Sequence, residues 1–329
     1  MTNNTKISII GGGGNIGGAL AYTLILKELA NTIVLVDLNK NVAEGKALDL
    51  GQAAAFEEGK CDVIGTDDYS NIENSDVIVI LAGFARKSES DTREILIDKN
   101  KGVMKSIAPM IAKHSPNSFV IVVTNPVDII AWIMSNELNS LIKDFNYNKL
   151  IGLSGVLDGG RFQYFAAKAI NSKNCSGDIV SPYDVQPMII GSHNNKMMPM
   201  IRYSGVNGVS FEHIMNIEDL PADDVENIKK QTISGGGDIV KLLGTSAYFA
   251  PARAICKMIK AYTKNEKRLL CCSTRIESKD DKNGIYLGLP VIIGSEGVEK
   301  KINFKFTDEE LKSFNNCSQE GIKILKESK

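Results

Sequence analysis

Short apolar runs alternate with longer amphipathic stretches through the first half of the chain. "KISIIG" (6–11), "TIVLVD" (32–37), "CDVIGT" (61–66), "SDVIVILAG" (75–83) and "SFVIVVTNP" (118–126) read as five strands. "NIGGALAYTLILKELA" (15–30) and "KNKGVMKSIAPMIAKH" (99–114) carry apolar residues at helical spacing. Strands apolar at nearly every position are buried on both faces, as in a parallel sheet covered by helices. The pattern therefore predicts an α/β fold with a doubly wound parallel sheet over residues 1–150. The second half, 151–329, has longer and less regular segments and is expected to form a C-terminal α+β domain. The Asn-, Ser- and Lys-rich stretches at 135–148 and 171–182 read as surface insertions. No internal repeat is visible.

Six glycines crowd "IIGGGGNIGGALAY", but only Gly12, Gly14 and Gly17 satisfy G-x-G-x-x-G. In that pattern the first glycine permits the strand-to-helix turn. The second lets the backbone approach a pyrophosphate, and the third lets helix and strand pack closely. The N–H groups of Asn15 and Ile16 then open a helix whose positive end faces the phosphates. Asp37 stands twenty residues after Gly17, at the end of the second strand. Its carboxylate suits the hydroxyls of a ribose and repels the extra phosphate of NADP. A Rossmann-type domain binding NAD is the expectation.

Composition narrows the class. At 329 residues with 43% hydrophobic content, the chain can bury sizeable cores, and its formal charge of -1 gives no sign of a nucleic-acid partner. No run approaches the roughly 18 apolar residues of a membrane span, so no membrane partner is expected. The six cysteines are scattered without a CxxC pair, and the N-terminus lacks a signal pattern. Together these predict reduced thiols, a cytoplasmic location and no metal site.

Candidate chemistry lies after the strands. "AGFARKSESDTREIL" places Arg86 and Arg93 in a polar loop after the fourth strand, and "TNPVD" places Asn125 after the fifth. "GVLDGGRF" sets Asp158 and Arg161 on one helix face. His193, in "IIGSHNNKMMP", is one of three histidines. It is either a core residue ending a strand or a proton carrier. A histidine with a carboxylate partner moves a proton near neutral pH. Several arginines around it suit an anionic substrate, since guanidinium binds carboxylate bidentately. His114 and His213 sit in no comparable set.

The glycine motif, "GKALDL", "AGFAR", "TNPVD", "GVLDGGRF", "GSH" and "TSAYFAP" occur in the order seen in NAD-dependent lactate/malate dehydrogenases. The chain resembles that family over almost its full length, nearest to the alphaproteobacterial and apicomplexan malate and lactate branch. The resemblance implies a small 2-oxo or 2-hydroxy acid as substrate. It makes His193 the general acid and base, Asp158 its orienting carboxylate, and Arg161 the clamp on the substrate carboxylate. Arg93 polarises the carbonyl, Asn125 contacts substrate and cofactor, and Arg86 meets the far end of the substrate. Arg86, together with a loop that lacks tryptophan, favours malate over lactate. The alternatives are lactate/pyruvate, another 2-oxo acid, or a catalytically impaired NAD-binding homologue. A homodimer or homotetramer is implied. One departure is Asn194, where the family has glycine. Asparagine suits that place if the backbone is left-handed. If the glycine is there for close packing, Asn194 would shift His193.

Overall fold

The computed structural model describes residues 4–84, 93–173, 179–217, 220–277 and 284–327. Strands β1 (Lys6–Ile10), β2 (Thr32–Val36), β3 (Asp62–Thr66), β4 (Val77–Ile80) and β5 (Phe119–Val122) fall where the apolar runs predict. β6 (Leu150–Gly152) joins them. All six run parallel, in the order β6-β5-β4-β1-β2-β3. The helices between them are α1 (Asn15–Leu26), α2 (Lys40–Ala54), α3 (Arg93–His114) and α4 (Val127–Leu141), and α5 (Gly155–Ser172) follows β6.

Alternate residues of β1, β2 and β4 serve opposite faces, which explains why those runs are mostly apolar, whereas β3 at the sheet edge is largely exposed or half-buried. Ile7, Ile9, Ile33, Leu35, Val77 and Val79 pack into the core containing Leu20 and Leu24 of α1. Ile10, Val34, Val36, Ile78 and Ile80 pack into the core with Met104 and Ile107 of α3 and Ile130 of α4. Each such side chain, fully removed from water, contributes on the order of 2 kcal/mol. Ser8, the polar residue among the four buried positions of β1, shares a 2.6 Å hydrogen bond with Ser75.

The second half begins with short pieces. These are β7 (Val185–Gln186), β8 (Ile189–Ile190), β9 (Met198–Pro199), β10 (Gly205–Val206) and β11 (Val209–Ser210). Helices α6 (Phe211–Ile217), α7 (Ala222–Leu243) and α8 (Phe249–Thr263) follow. The long strands β12 (Arg268–Ile276) and β13 (Ile285–Gly294), with β14 (Gly297–Lys301), extend the main sheet antiparallel beyond β6. α9 (Asp308–Glu327) closes the described chain.

Three expectations change. The helix expected over 15–30 stops at Leu26, because Glu28 takes a left-handed backbone that turns Leu29 and Ala30 into the core. Arg93 belongs to no loop: it is the first residue of α3. The segment 135–148 is only partly a surface insertion, since α4 continues through it to Leu141 and buries Ser135 and Leu138. The start of the second segment, 171–182, is the end of α5. Asn171 there accepts the N–H groups of Ile179 and Val180 and so closes the excursion.

Candidate active site

β1 and β4 are sheet neighbours, and the chain builds outward from them in both directions. The crevice at their carboxyl ends is where such sheets hold ligands. Gly11 makes the tight turn there, with φ of 83°. Sequence reasoning gave that role to Gly12. Gly12 instead meets β2 and α1: a Cβ on it would lie 2.8 Å from Leu35 Cα, and one on Gly17 would lie 2.4 Å from the Gly12 carbonyl oxygen. At this turn, strand and helix approach too closely for any side chain at Gly12 or Gly17.

Gly14 caps α1 without a side-chain bond, and the first ladder bond runs from Gly18 N–H to the Gly14 carbonyl. The N–H groups of Asn15, Ile16 and Gly17 precede that ladder and have no i−4 partner. Asp37 stands beside them. Its Oδ2 accepts the Gly13 N–H at 2.9 Å and its Oδ1 accepts the Asn39 N–H at 3.1 Å. A carboxylate keeps further lone pairs for two hydroxyls. Lys46 of α2 donates to the Gly14 carbonyl at 2.7 Å. Burial pulls its pKa down against the opposing charge of Asp37. Across the sheet, Ser154 precedes α5 with its hydroxyl buried and without a partner. A buried donor left unpaired is costly unless a ligand satisfies it. The anion-receptive helix end, the ribose-competent carboxylate and this orphan hydroxyl fit a dinucleotide.

Three of the candidates, Asp158, Arg161 and His193, meet at the start of α5. Asp158 lies in the first turn of α5 and is 1% exposed. Its Oδ2 is 2.7 Å from Nδ1 of His193, and its Oδ1 accepts from Nη1 of Arg161 at 2.8 Å. A carboxylate only accepts, so His193 carries its proton on Nδ1 and leaves Nε2 to exchange one. Burial disfavours the imidazolium, but the Asp158 charge and hydrogen bond, then the Asp128 charge, outweigh it. The His193 pKa is raised in consequence. β8 and the Gly191–Gly288 bridge to β13 fix the turn from which His193 projects.

Asn125 is exposed at the end of β5, before a cis peptide to Pro126. Asn100 of α3, fully buried, donates to the carbonyls of Asn125 and Phe84 and accepts the Phe84 N–H. It joins the loops after β4 and β5. Arg86 lies outside the described residues, and Arg93 is placed only as the first residue of α3. Asn194 does not have positive φ. Its Oδ1 instead accepts the Lys196 N–H at 2.7 Å and stiffens the turn after His193. Asn100, Asp128 and Ser154 were missed as site residues. Asp128 ends the quoted TNPVD motif and Ser154 directly precedes GVLDGGRF, yet nothing local marks their partners.

Two family models cover nearly the whole chain. Residues 5–147 match the lactate/malate dehydrogenase NAD-binding domain, and 156–329 match the lactate/malate dehydrogenase alpha/beta C-terminal domain. The chain belongs to the lactate/malate dehydrogenase family. It is 37% identical to a malate dehydrogenase of Ehrlichia canis, over 99% of this chain and 98% of that one. Its fold is similar to the malate dehydrogenase of Cryptosporidium parvum, with a TM-score of 0.90, 32% identity and 99% of both chains covered. The lactate dehydrogenase of Eimeria maxima, solved with NADH and oxamate, is similar at a TM-score of 0.89 and 33% identity, over 99% of this chain and 94% of that one. As a member of this family the protein is an NAD-dependent 2-hydroxy acid dehydrogenase. The glycine turn and Asp37 lie in its NAD-binding domain, and Asp158, Arg161 and His193 in its C-terminal domain.

Proposed function

We propose that the protein interconverts malate and oxaloacetate, with His193 as the proton carrier. The observation that carries this reading is the chain Arg161–Asp158–His193, centred on the buried Asp158, with both bonds to it under 3 Å. When bound, NADH supplies the hydride. Negative charge grows on the substrate oxygen as the carbonyl is reduced, so a donor aimed at that oxygen lowers the barrier. Nε2–H of His193 is that donor, and in the reverse direction Nε2 takes the proton back. Asp158 holds the ring by Nδ1 and stabilises its charged form. Arg161 binds the carboxylate next to the reacting carbon, Arg93 polarises the carbonyl, and Asn125 bonds the substrate. Asn15, Ile16, Gly17 and Asp37 hold the cofactor, with Asn125 at its nicotinamide end. Residues 1–150 form the nucleotide domain and 151–329 the substrate domain.

Arg86 sets the choice of acid, by pairing with the second carboxylate of oxaloacetate. The named malate dehydrogenases among the relatives support this. Lactate/pyruvate is the second reading, favoured by lactate dehydrogenases of nearly equal structural similarity. A panel of 2-oxo acids assayed with NADH separates the two. Oxaloacetate should be preferred, and Arg86→Gln should cost it about 2–4 kcal/mol in kcat/KM, roughly thirty- to a thousandfold. Pyruvate should hold or gain, and Lys87→Gln should leave the preference intact. A wild-type preference for pyruvate overturns the malate reading.

A homodimer or homotetramer and a cytoplasmic location complete the proposal. The exposed Tyr22, Phe56 and Phe249 are large side chains that an assembly would cover. Five free thiols among the described residues suit a reducing compartment. Among those residues no helix is long and apolar enough to cross a membrane. Light scattering on the purified protein tests the assembly.

A further inference from the structure

Asp128 is a charged side chain that the proposed chemistry leaves without a task. It stands in the first turn of α4, three residues after Asn125. An acidic residue there commonly accepts N–H groups of its own helix. Asp128 turns away instead. Its Oδ2 accepts the main-chain N–H of His193 at 2.9 Å, and its Oδ1 accepts the Ser273 hydroxyl of β12 at 2.6 Å. These partners lie 65 and 145 residues away along the chain. Behind the carboxylate is a cavity of about 10 Å³, lined among others by Ser192, Tyr286 and Glu320. That is room for about one water. Burial raises the Asp128 pKa, against the lowering effect of the Ser273 and His193 hydrogen bonds.

We propose that Asp128 is the positioning residue for His193: it ties the turn bearing the imidazole to the helix that follows Asn125, and sets a second carboxylate behind that imidazole. The inference rests on His193 being the proton carrier. Asp158 alone holds the ring at one atom, Nδ1, about which the ring can still swing. The Asp128 bond fixes the main chain to which the ring is attached. Two carboxylates from two helices thus determine where Nε2 points. Asn125 and His193 must act on the same substrate, and Asp128 links their two segments directly. A misplacement near 1 Å in such a set can cost about a hundredfold in rate.

The charge matters as well as the bond. The groups facing Asp128 are His193 and Asp158, with Arg161 beyond Asp158, and Tyr286 of β13 and Glu320 of α9 across the cavity. Glu320 is paired with Lys196. An ionised Asp128 favours the charged imidazole, so removing its charge should make His193 release its proton more readily.

Two variants test this. Asp128→Asn can keep both hydrogen bonds, with Oδ1 accepting from His193 and Nδ2 donating to Ser273, but it removes the charge. Asp128→Ala removes both. The imidazole ring protons of the three histidines are followed by NMR titration, with His193→Asn giving the assignment. In Asp128→Asn the His193 midpoint should fall by about half a pH unit or more. Asp128→Ala should lose at least about tenfold in kcat for oxaloacetate reduction, with the NADH Kd within about twofold of wild type. An unmoved midpoint in Asp128→Asn, or full turnover in folded Asp128→Ala, overturns the proposal. If Asp128→Ala does not fold, the Asp128→Asn titration decides it. Should His193→Asn itself retain turnover, the reading of His193 fails, which is a separate result from a failure of Asp128.

Discussion

Gly236 of α7 faces the end of Arg161 so closely that a Cβ added there would stand 2.9 Å from Nη2. Gly237, one residue on, has nothing within 4 Å of its Cβ position. Both replace a better helix former in the interior of α7. Alanine at either place should stabilise the helix by about 0.5–1 kcal/mol and raise Tm. The end of an arginine yields cheaply to a methyl group, so Gly236→Ala should fold well. The guanidinium would be displaced from the carboxylate it is proposed to bind. KM for the 2-oxo acid should rise about tenfold or more in Gly236→Ala, since a charge-assisted bidentate contact depends on geometry. Gly237→Ala should gain stability with KM unchanged. Equal kinetics in the two variants would show that the glycine does not seat Arg161.

Asp158 bonds His193 and Arg161 with its two oxygens. Asp158→Asn keeps the shape but offers its amide N–H to one of two donors. Either His193 loses its Nδ1–H acceptor or Arg161 loses its anchor. Turnover should fall at least about a hundredfold, the range for a disabled acid–base group. NADH binding, measured by fluorescence, should persist. His193→Asn should show a loss of the same order. Near-normal turnover in His193→Asn would make it a core histidine.

The raised pKa of His193 fixes the direction of the pH dependence. Burial opposes the imidazolium, but Asp158 and then Asp128 favour it more strongly. Carbonyl reduction needs the protonated ring, so its rate should fall as pH climbs through a value above the ordinary histidine range. Alcohol oxidation needs the neutral ring and should rise over the same interval. The same shift adds stability that is complete below the ordinary histidine pKa and is lost as pH rises through the folded-state value. A reduction limb centred at or below the ordinary value would contradict this assignment.

Asp37 already accepts two N–H groups beside the glycine turn, where the ribose is proposed to sit. A phosphate there would meet both its charge and the tightly placed Gly13, whose Cβ position lies 2.7 Å from Oδ2. NADH should be used at least about tenfold more efficiently than NADPH, some 1.4 kcal/mol. Asp37→Ser should narrow that ratio, read from kcat/KM for both cofactors. Equal use of the two by the wild type would remove Asp37 from the ribose site.

Much of the nucleotide half is legible because its signals are local. The period of apolar residues marks β1 to β5, and a glycine cluster between a strand and a helix marks the turn. Where local and long-range demands diverged, reading the chain failed. Leu29 and Ala30 continue an apolar pattern but leave the helix, because Glu28 turns them into the core. Ser135 and Leu138 sit in a polar-looking stretch, yet α4 is packed there, held partly by Trp132 donating to the Gly284 carbonyl.

The amino-acid sequence by itself determined the strand and helix periods, the glycine-rich turn between β1 and α1, and the kinds of side chain available for acid–base work. Those properties follow from neighbours within one or two turns of chain. Only the tertiary structure decided that β1 and β4 adjoin, that three antiparallel strands extend the sheet beyond β6, and that Asp128 and Asp158 converge on one histidine from separate helices. Such meetings join residues 35 to 145 positions apart. They arise when whole faces of sheet and helix are buried together, and no local spacing encodes which buried carboxylate will find which donor.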